Sequence, residues 1–173
     1  MKWGIKLSGV KTNAMRILDK AAISYKTYTY DHGDGLIDGI SVAGKIGRPV
    51  ERVYKTLVTR GTSREYYVFI IPVDGELDLK AAARTVKEKA VEMIKVADIN
   101  KVTGYIRGGC SPIGMKKEYE TVLDSSCKLL ETIIISAGKL GYQIELPPDE
   151  LIRLIHCRTE SITVQQKEKD AEL

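Results

Sequence analysis

The sequence predicts a mixed α/β protein whose sheet is largely antiparallel, with helices around it. Two apolar runs, Arg52 to Thr59 and Tyr66 to Val73, flank Arg60-Gly61-Thr62-Ser63-Arg64, which is the pattern of a hairpin. Helical patterns are scattered among short strand patterns and do not alternate with them in regular βαβ order, which argues against a doubly wound sheet. The length, 173 residues, matches one domain.

Residues 1–11 read as an irregular lead-in. Thr12-Asn13 can cap a helix that carries Ala14, Ile17, Leu18 and Ala21 on one face. Tyr25 to Tyr30 alternates tyrosine with polar residues, as a strand does. Asp31 to Gly35 is a turn, and Ser41 to Lys45 a short helix before Gly47-Arg48-Pro49. The hairpin follows. Asp78 then caps a long helix, with Leu79, Ala82, Ala83, Val86 and Ala90 at helical spacing. Thr103 to Gly114 is loop. Thr121 to Leu123, Glu131 to Ser136 and Tyr142 to Leu146 are strands. Pro147-Pro148-Asp149 opens a helix that buries Leu151, Ile152 and Ile155. Ile162 to Val164 forms a last strand, and 165–173 a polar tail.

Composition excludes several classes. Hydrophobic residues make up 43% and charged residues 29%, so the chain is neither disordered nor collagen-like. No apolar stretch approaches the roughly 18 residues of a membrane span. The first residues lack the apolar core of a signal peptide. Cys110, Cys127 and Cys157 form neither a disulfide framework nor a CxxC pair, so we expect reduced thiols, a cytoplasmic location and no metal or other cofactor. A net charge of +4 is compatible with an acidic partner such as RNA without requiring one.

Three features could carry chemistry. Lys55 sits between apolar neighbours on a strand, so it either masks an exposed edge or reaches into a pocket as a point charge. Gly104 to Gly114 contains Gly108-Gly109, whose backbone could approach an oxyanion or phosphate, or simply turn tightly. Ser136-Ala137-Gly138-Lys139 follows an apolar strand, a common position for a ligand site and also for a turn. There is no Walker A loop and no Gly-x-Ser-x-Gly elbow. Cys110 has no identifiable base. His32 reads as a solvated loop residue, and His156 as a charge partner at a helix C-terminus.

In order and spacing, these blocks resemble the YbaK family of prolyl-tRNA-synthetase-associated editing domains. The resemblance covers about Thr12 to Val164. It is carried by Thr29-Tyr30-Asp31-His32, Val53 to Leu57, Leu77 to Lys80, Thr103-Gly104-Tyr105, Gly108 to Gly114, and Ser136 to Lys139. It implies a curved sheet with a ligand cleft and hydrolysis of the ester joining a wrong amino acid to tRNA, cysteinyl-tRNA(Pro) first among the substrates. Alternatives are another mischarged ester such as Ala-tRNA(Pro), a hydrolase of small esters, or a non-catalytic module that binds tRNA or a synthetase. The resemblance makes Lys55 the essential pocket lysine, and places Tyr30, Thr56, Gly108, Gly109, Ser136 and Gln143 around the substrate. It implies the substrate's own thiol as nucleophile and prolyl-tRNA synthetase as partner. This chain departs from the family pattern at Ala137, Cys110 and Gln143.

Overall fold

The computed structural model describes residues 10–164. A central strand must bury both faces, and Tyr66–Pro72 (β3) does so, with Tyr67 to Ile71 all buried. On one side it pairs antiparallel with Tyr54–Gly61 (β2), in register from Tyr54↔Pro72 to Arg60↔Tyr66, so the predicted hairpin is present. On the other it runs parallel to Glu120–Asp124 (β5). Val91–Met93 (β4) and Arg158–Glu160 (β8) complete a five-stranded sheet in the order β4-β2-β3-β5-β8.

A second sheet has the order Lys26–Thr29 (β1), Tyr142–Leu146 (β7), Ile133–Ser136 (β6). Four of the six strand pairs among the described residues are antiparallel, in line with the predicted class. Alternation assigns the faces. Val68 and Ile70 of β3 meet Ile133, Ile135 and Ile144 of the second sheet, with Leu18 of the helix Asn13–Lys20 (α1) and Leu151 of the helix Pro148–Ile155 (α5). Phe69 and Ile71 point the other way, onto Ala82, Ala83 and Val86 of the helix Leu79–Thr85 and the residue after it (α3). Each of the fully buried leucine, isoleucine, valine and phenylalanine side chains contributes about 1.5–3 kcal/mol. The outer face of the second sheet, at Ile134, packs against Ala43 of the helix Gly39–Ile46 (α2), together with Val53 and Val73. One parallel bridge, Val53↔Ile134, joins the two sheets at the start of β2.

Two predicted elements differ. Asp78 caps α3 as expected, accepting the Ala81 N–H at 3.0 Å. The helix nonetheless ends at Thr85 and not near Ala90. Lys87 adopts φ +60°, and the Glu88 N–H returns to the Ala83 carbonyl at 2.9 Å, closing the helix. The Glu88 carboxylate accepts the Ser63 N–H and the Tyr67 hydroxyl across the hairpin, so a long-range anchor stops a helix that local spacing would prolong. The chain beyond it supplies β4, and later the helix Ile99–Thr103 (α4), neither of which was predicted. The last strand lies at Arg158–Glu160, not Ile162–Val164. Ile162 is buried against the α3 side, with its N–H on Asp124 Oδ1 at 3.1 Å, and Thr163 forms an isolated bridge to Leu77 in place of a strand. The expected tail and most of the lead-in fall outside the described residues. No helix among those described is long and apolar enough to cross a membrane.

Candidate active site

β4 pairs only with Thr59 to Gly61 of β2, and at the other end of the strand Val53 bridges Ile134 of β6; beside that seam lies a cavity of about 120 Å³. Val53, Tyr54, Lys55 and Thr56 all line it. Strict strand alternation would put Lys55 and Thr56 on opposite faces. Both nonetheless line the cavity, at the junction where β2 meets β6. The volume corresponds to a few waters, the scale of one small acyl group.

Lys55 is half-buried, and its Nζ lies 3.5 Å from the Val73 carbonyl oxygen. Tyr30 follows β1, and its N–H donates to the Gly141 carbonyl at 3.0 Å, which carries the β1–β7 pairing to the cavity wall. The Tyr30 hydroxyl and Thr56 Oγ1 are buried and have no hydrogen-bond partner. Polar atoms in that state are unfavourable unless something enters to satisfy them. Ser136 and Gln143 face each other across β6 and β7 and close the floor. Ser136 Oγ accepts the Gly138 N–H at 3.2 Å.

Gly108 lines the opposite wall with its backbone at φ +82°. A Cβ there would fall 2.7 Å from Leu140 Cδ1 and 2.9 Å from Ile37 Cδ1, so both conformation and space call for glycine. Gly109 plays another part. It is buried outside the cavity lining, its Cα packs on the Lys139–Leu140 backbone, and its N–H donates to the Ile106 carbonyl at 3.0 Å. The amide of Gly109 is therefore engaged in a turn, and of the glycine pair only Gly108 lines the cavity.

A model of the aminoacyl-tRNA editing domain matches residues 40–154. The chain belongs to the aminoacyl-tRNA editing domain family. It is 42% identical over 156 residues to a protein of Enterococcus faecalis provisionally named Cys-tRNA(Pro)/Cys-tRNA(Cys) deacylase EbsC, covering 90% of this chain and 95% of that one. It is 31% identical over 109 residues to the uncharacterised YwhH of Bacillus subtilis, covering 63% and 69% of the two chains. A crystal structure described as a candidate trans-editing enzyme for prolyl tRNA synthetase superposes with a TM-score of 0.77 at 19% identity, covering 90% of this chain and 100% of that one, which shows the shared fold.

The site of this editing domain holds no group poised as a protein nucleophile among its described residues. Cys110 lines the cavity, but burial pushes its thiol up to about 11, against a smaller opposing effect of the Thr103 hydrogen bond. It is a neutral thiol at pH 7. Tyr54 donates to or accepts from Ser126 Oγ at 2.7 Å, and burial raises its hydroxyl to about 12. His32 is exposed beside Gly141, and His156 is the left-handed residue that ends α5, so neither lines the cavity. No cluster of three or more metal-ligating side chains occurs among the described residues.

Six of the seven predicted site residues thus surround one cavity: Tyr30, Lys55, Thr56, Gly108, Ser136 and Gln143. Sequence reasoning missed Ile37, Gly39, Val42 and Val73 of the editing domain's cavity. Three of them are aliphatic residues with nothing to separate them from core. Gly39 carried a faint signal as the residue after a capping Asp38. A Cβ there would fall 2.2 Å from Val73 Cγ1, so the helix approaches β3's end closely only because this position is glycine.

Proposed function

We propose that this protein is a trans-editing deacylase that hydrolyses the ester of cysteinyl-tRNA(Pro), acting as one unit in the cytoplasm beside prolyl-tRNA synthetase. The observation that carries this reading is the small cavity whose wall holds two buried, unpartnered hydroxyls, a lysine and a glycine backbone. The E. faecalis relative's name supports the substrate. Cysteine and proline are similar in size, and a synthetase pocket cannot strongly reject a near-isostere, so a second hydrolytic site is needed.

The substrate ester is already activated, and the protein's task is to position it and stabilise negative charge. Lys55 attracts the acyl carbonyl or the adjoining 3′ ribose-phosphate end by its charge. The Gly108 amide donates to the developing oxyanion. Tyr30 and Thr56 hold the acyl group's polar atoms, and Ser136 and Gln143 form its floor. The nucleophile is the substrate's own sulfur. Its attack forms a C–S bond and breaks the C–O ester bond, and the thiol proton ends on the departing 3′ oxygen. Water then opens the thiolactone to free cysteine. The neutral state of Cys110 agrees with a reaction that uses no protein thiol.

A second reading, removal of alanine from Ala-tRNA(Pro), draws on the same small and uncharged floor at Gln143, which an alanyl group also fits. That ester has no thiol and needs water as nucleophile. Deacylation of Cys-, Ala- and Pro-tRNA(Pro), with wild type beside Lys55→Ala, separates the two. Loss of the cysteinyl ester alone, dependent on Lys55, is the expected result. Equal turnover in Lys55→Ala would remove Lys55 from the mechanism, and loss of the alanyl ester instead would change the substrate.

A further inference from the structure

We propose that the cavity accepts the aminoacyl group with its α-amine uncharged, and that the neutral side chain of Gln143 sets this preference. The inference rests on the deacylase reading above. It starts from the charges around the cavity. The ionisable lining groups are Tyr30 at the end of β1, Tyr54 and Lys55 on β2, and Cys110 on the glycine loop. The α2 residues there are Gly39 and Val42, the end of β3 gives Val73, and β6 and β7 give Ser136 and Gln143. No carboxylate is among these described lining residues.

Nearby carboxylates are engaged or turned outward. Glu145 lies two residues from Gln143 on the same face of β7, but accepts the Tyr28 and Thr132 hydroxyls, each at 2.5 Å. Asp34 pairs with Lys45 at 2.7 Å, and Asp38 caps α2. Asp74, beside Val73, is exposed, and Asp124 is held by the Ser126 and Ile162 N–H groups; both lie outside the lining, although the charge of each acts on Tyr54. Among the cations, Lys55 lines the cavity, while Lys45, whose Nζ stands 6.0 Å from the centre of the Tyr30 ring, is neutralised by its pair with Asp34.

An ammonium entering this cavity would lose water beside a lysine and gain no carboxylate. An uncharged amine has partners, because the Tyr30 hydroxyl and Thr56 Oγ1 await one and can accept from or donate to it. Deprotonation is easy at this position. A peptide α-amino group titrates at about 7.7–8.0, so near neutral pH only about a tenfold reduction in the competent fraction is involved. Tyr54 and Cys110, pushed to about 12 and about 11 by burial, stay neutral over the same range and do not mimic this titration.

The test compares kcat/KM from pH 5.5 to 8.5 for cysteinyl-tRNA(Pro) and for its counterpart bearing an α-hydroxyl in place of the α-amine. The α-group shifts the neighbouring thiol's own titration, so thiol ionisation is measured separately for each ester and divided out, and the corrected ratio isolates the amine. The expected ratio rises about tenfold per pH unit below the amine's pKa and then levels. In Gln143→Glu, with Gln143→Asp as a second variant, the new carboxylate flattens the rise by favouring the ammonium. A wild-type ratio that is flat, or that falls with pH, overturns the proposal. Identical slopes in wild type and both folded variants overturn the assignment to Gln143. Cleavage of neither ester at any pH overturns the deacylase reading and this inference with it, and is distinct from cleavage with a flat ratio.

Discussion

Replacing Gly108 with alanine tests whether the glycine wall is built for close approach. The left-handed conformation costs an L-residue about 1–2 kcal/mol, and Gly108 sits at φ +82°. The new Cβ would also meet Leu140 Cδ1 at 2.7 Å and Ile37 Cδ1 at 2.9 Å. Both are ends of flexible side chains, so they yield by leaving their rotamers, at about 0.5–1.5 kcal/mol. Loss of unfolded-state freedom returns about 0.4–1 kcal/mol. The net is a destabilisation of about 0.5–3 kcal/mol, read as a lower urea midpoint with an unchanged slope. Ile37 and the Gly108 backbone both line the cavity, so kcat/KM should fall at least about tenfold while the protein is still fully folded. Gly44 is the control. It lies exposed within α2 with nothing within 4 Å of an added Cβ. Gly44→Ala should stabilise by about 0.5–1 kcal/mol and leave turnover unchanged. A Gly108→Ala protein with the parent's midpoint and activity would refute the reasoning, as would equal destabilisation at Gly44.

Thr56→Val and Tyr30→Phe each remove a buried hydroxyl that has no partner in the free protein, so unfolding should show unchanged or slightly higher stability, within about 1 kcal/mol. The same two variants should lower kcat/KM about tenfold, and a variant that lost stability but kept activity would place the hydroxyl in the fold and not in substrate binding. Cys110→Ser should retain deacylation, and alkylation of Cys110 in the parent should be slow at pH 7 and climb until about pH 11. Burial pushes the Glu145 carboxyl up, but the Thr132 and Tyr28 hydroxyls, with Arg48 nearby, outweigh it and hold the carboxyl below its ordinary 4.5. Its ionised form therefore adds stability that is complete above the ordinary carboxylate range and is lost as pH falls through the lowered folded value. Glu145→Gln should destabilise by about 1–3 kcal/mol at pH 7, with the difference from wild type shrinking in acid.

What could be read ahead of the structure follows from how local each signal is. The hairpin, the Asp78 cap and the α5 start are written in short stretches, and all appear. The end of α3 is decided by Glu88 reaching Ser63 and Tyr67, residues far away in sequence, so helical spacing through Ala90 gave no warning. The alternation at 162–164 reflects burial of Ile162 and the Asp124 anchor, which period alone cannot distinguish from a strand. Lys55 was ambiguous for the same reason: an edge mask and a pocket lysine share one pattern. In the structure Lys55 lines the cavity, next to the bridge between Val53 and Ile134. The resemblance, not periodicity, favoured the pocket. Gly109 shows the limit of reading a glycine pair as a unit, because one glycine faces the cavity and its neighbour faces the 139–140 backbone.

The placement of the cavity also bears on how such a site could distinguish the right ester from the wrong one. A wall of β2, α2 and two short strands holds about 120 Å³, too little difference in shape to separate cysteine from proline by fit. On the proposed chemistry it does not have to. Prolyl ester carries no side-chain nucleophile, so it survives even when it enters, while cysteinyl ester supplies its own sulfur. Discrimination then moves from binding to reactivity, and the protein's part is to hold the carbonyl against Lys55 and the Gly108 amide with bulk water kept out. A strong general base near the cavity would undermine that scheme by activating water against either ester. The described lining residues include no histidine and no carboxylate, and its thiol and Tyr54 hydroxyl are held neutral by burial.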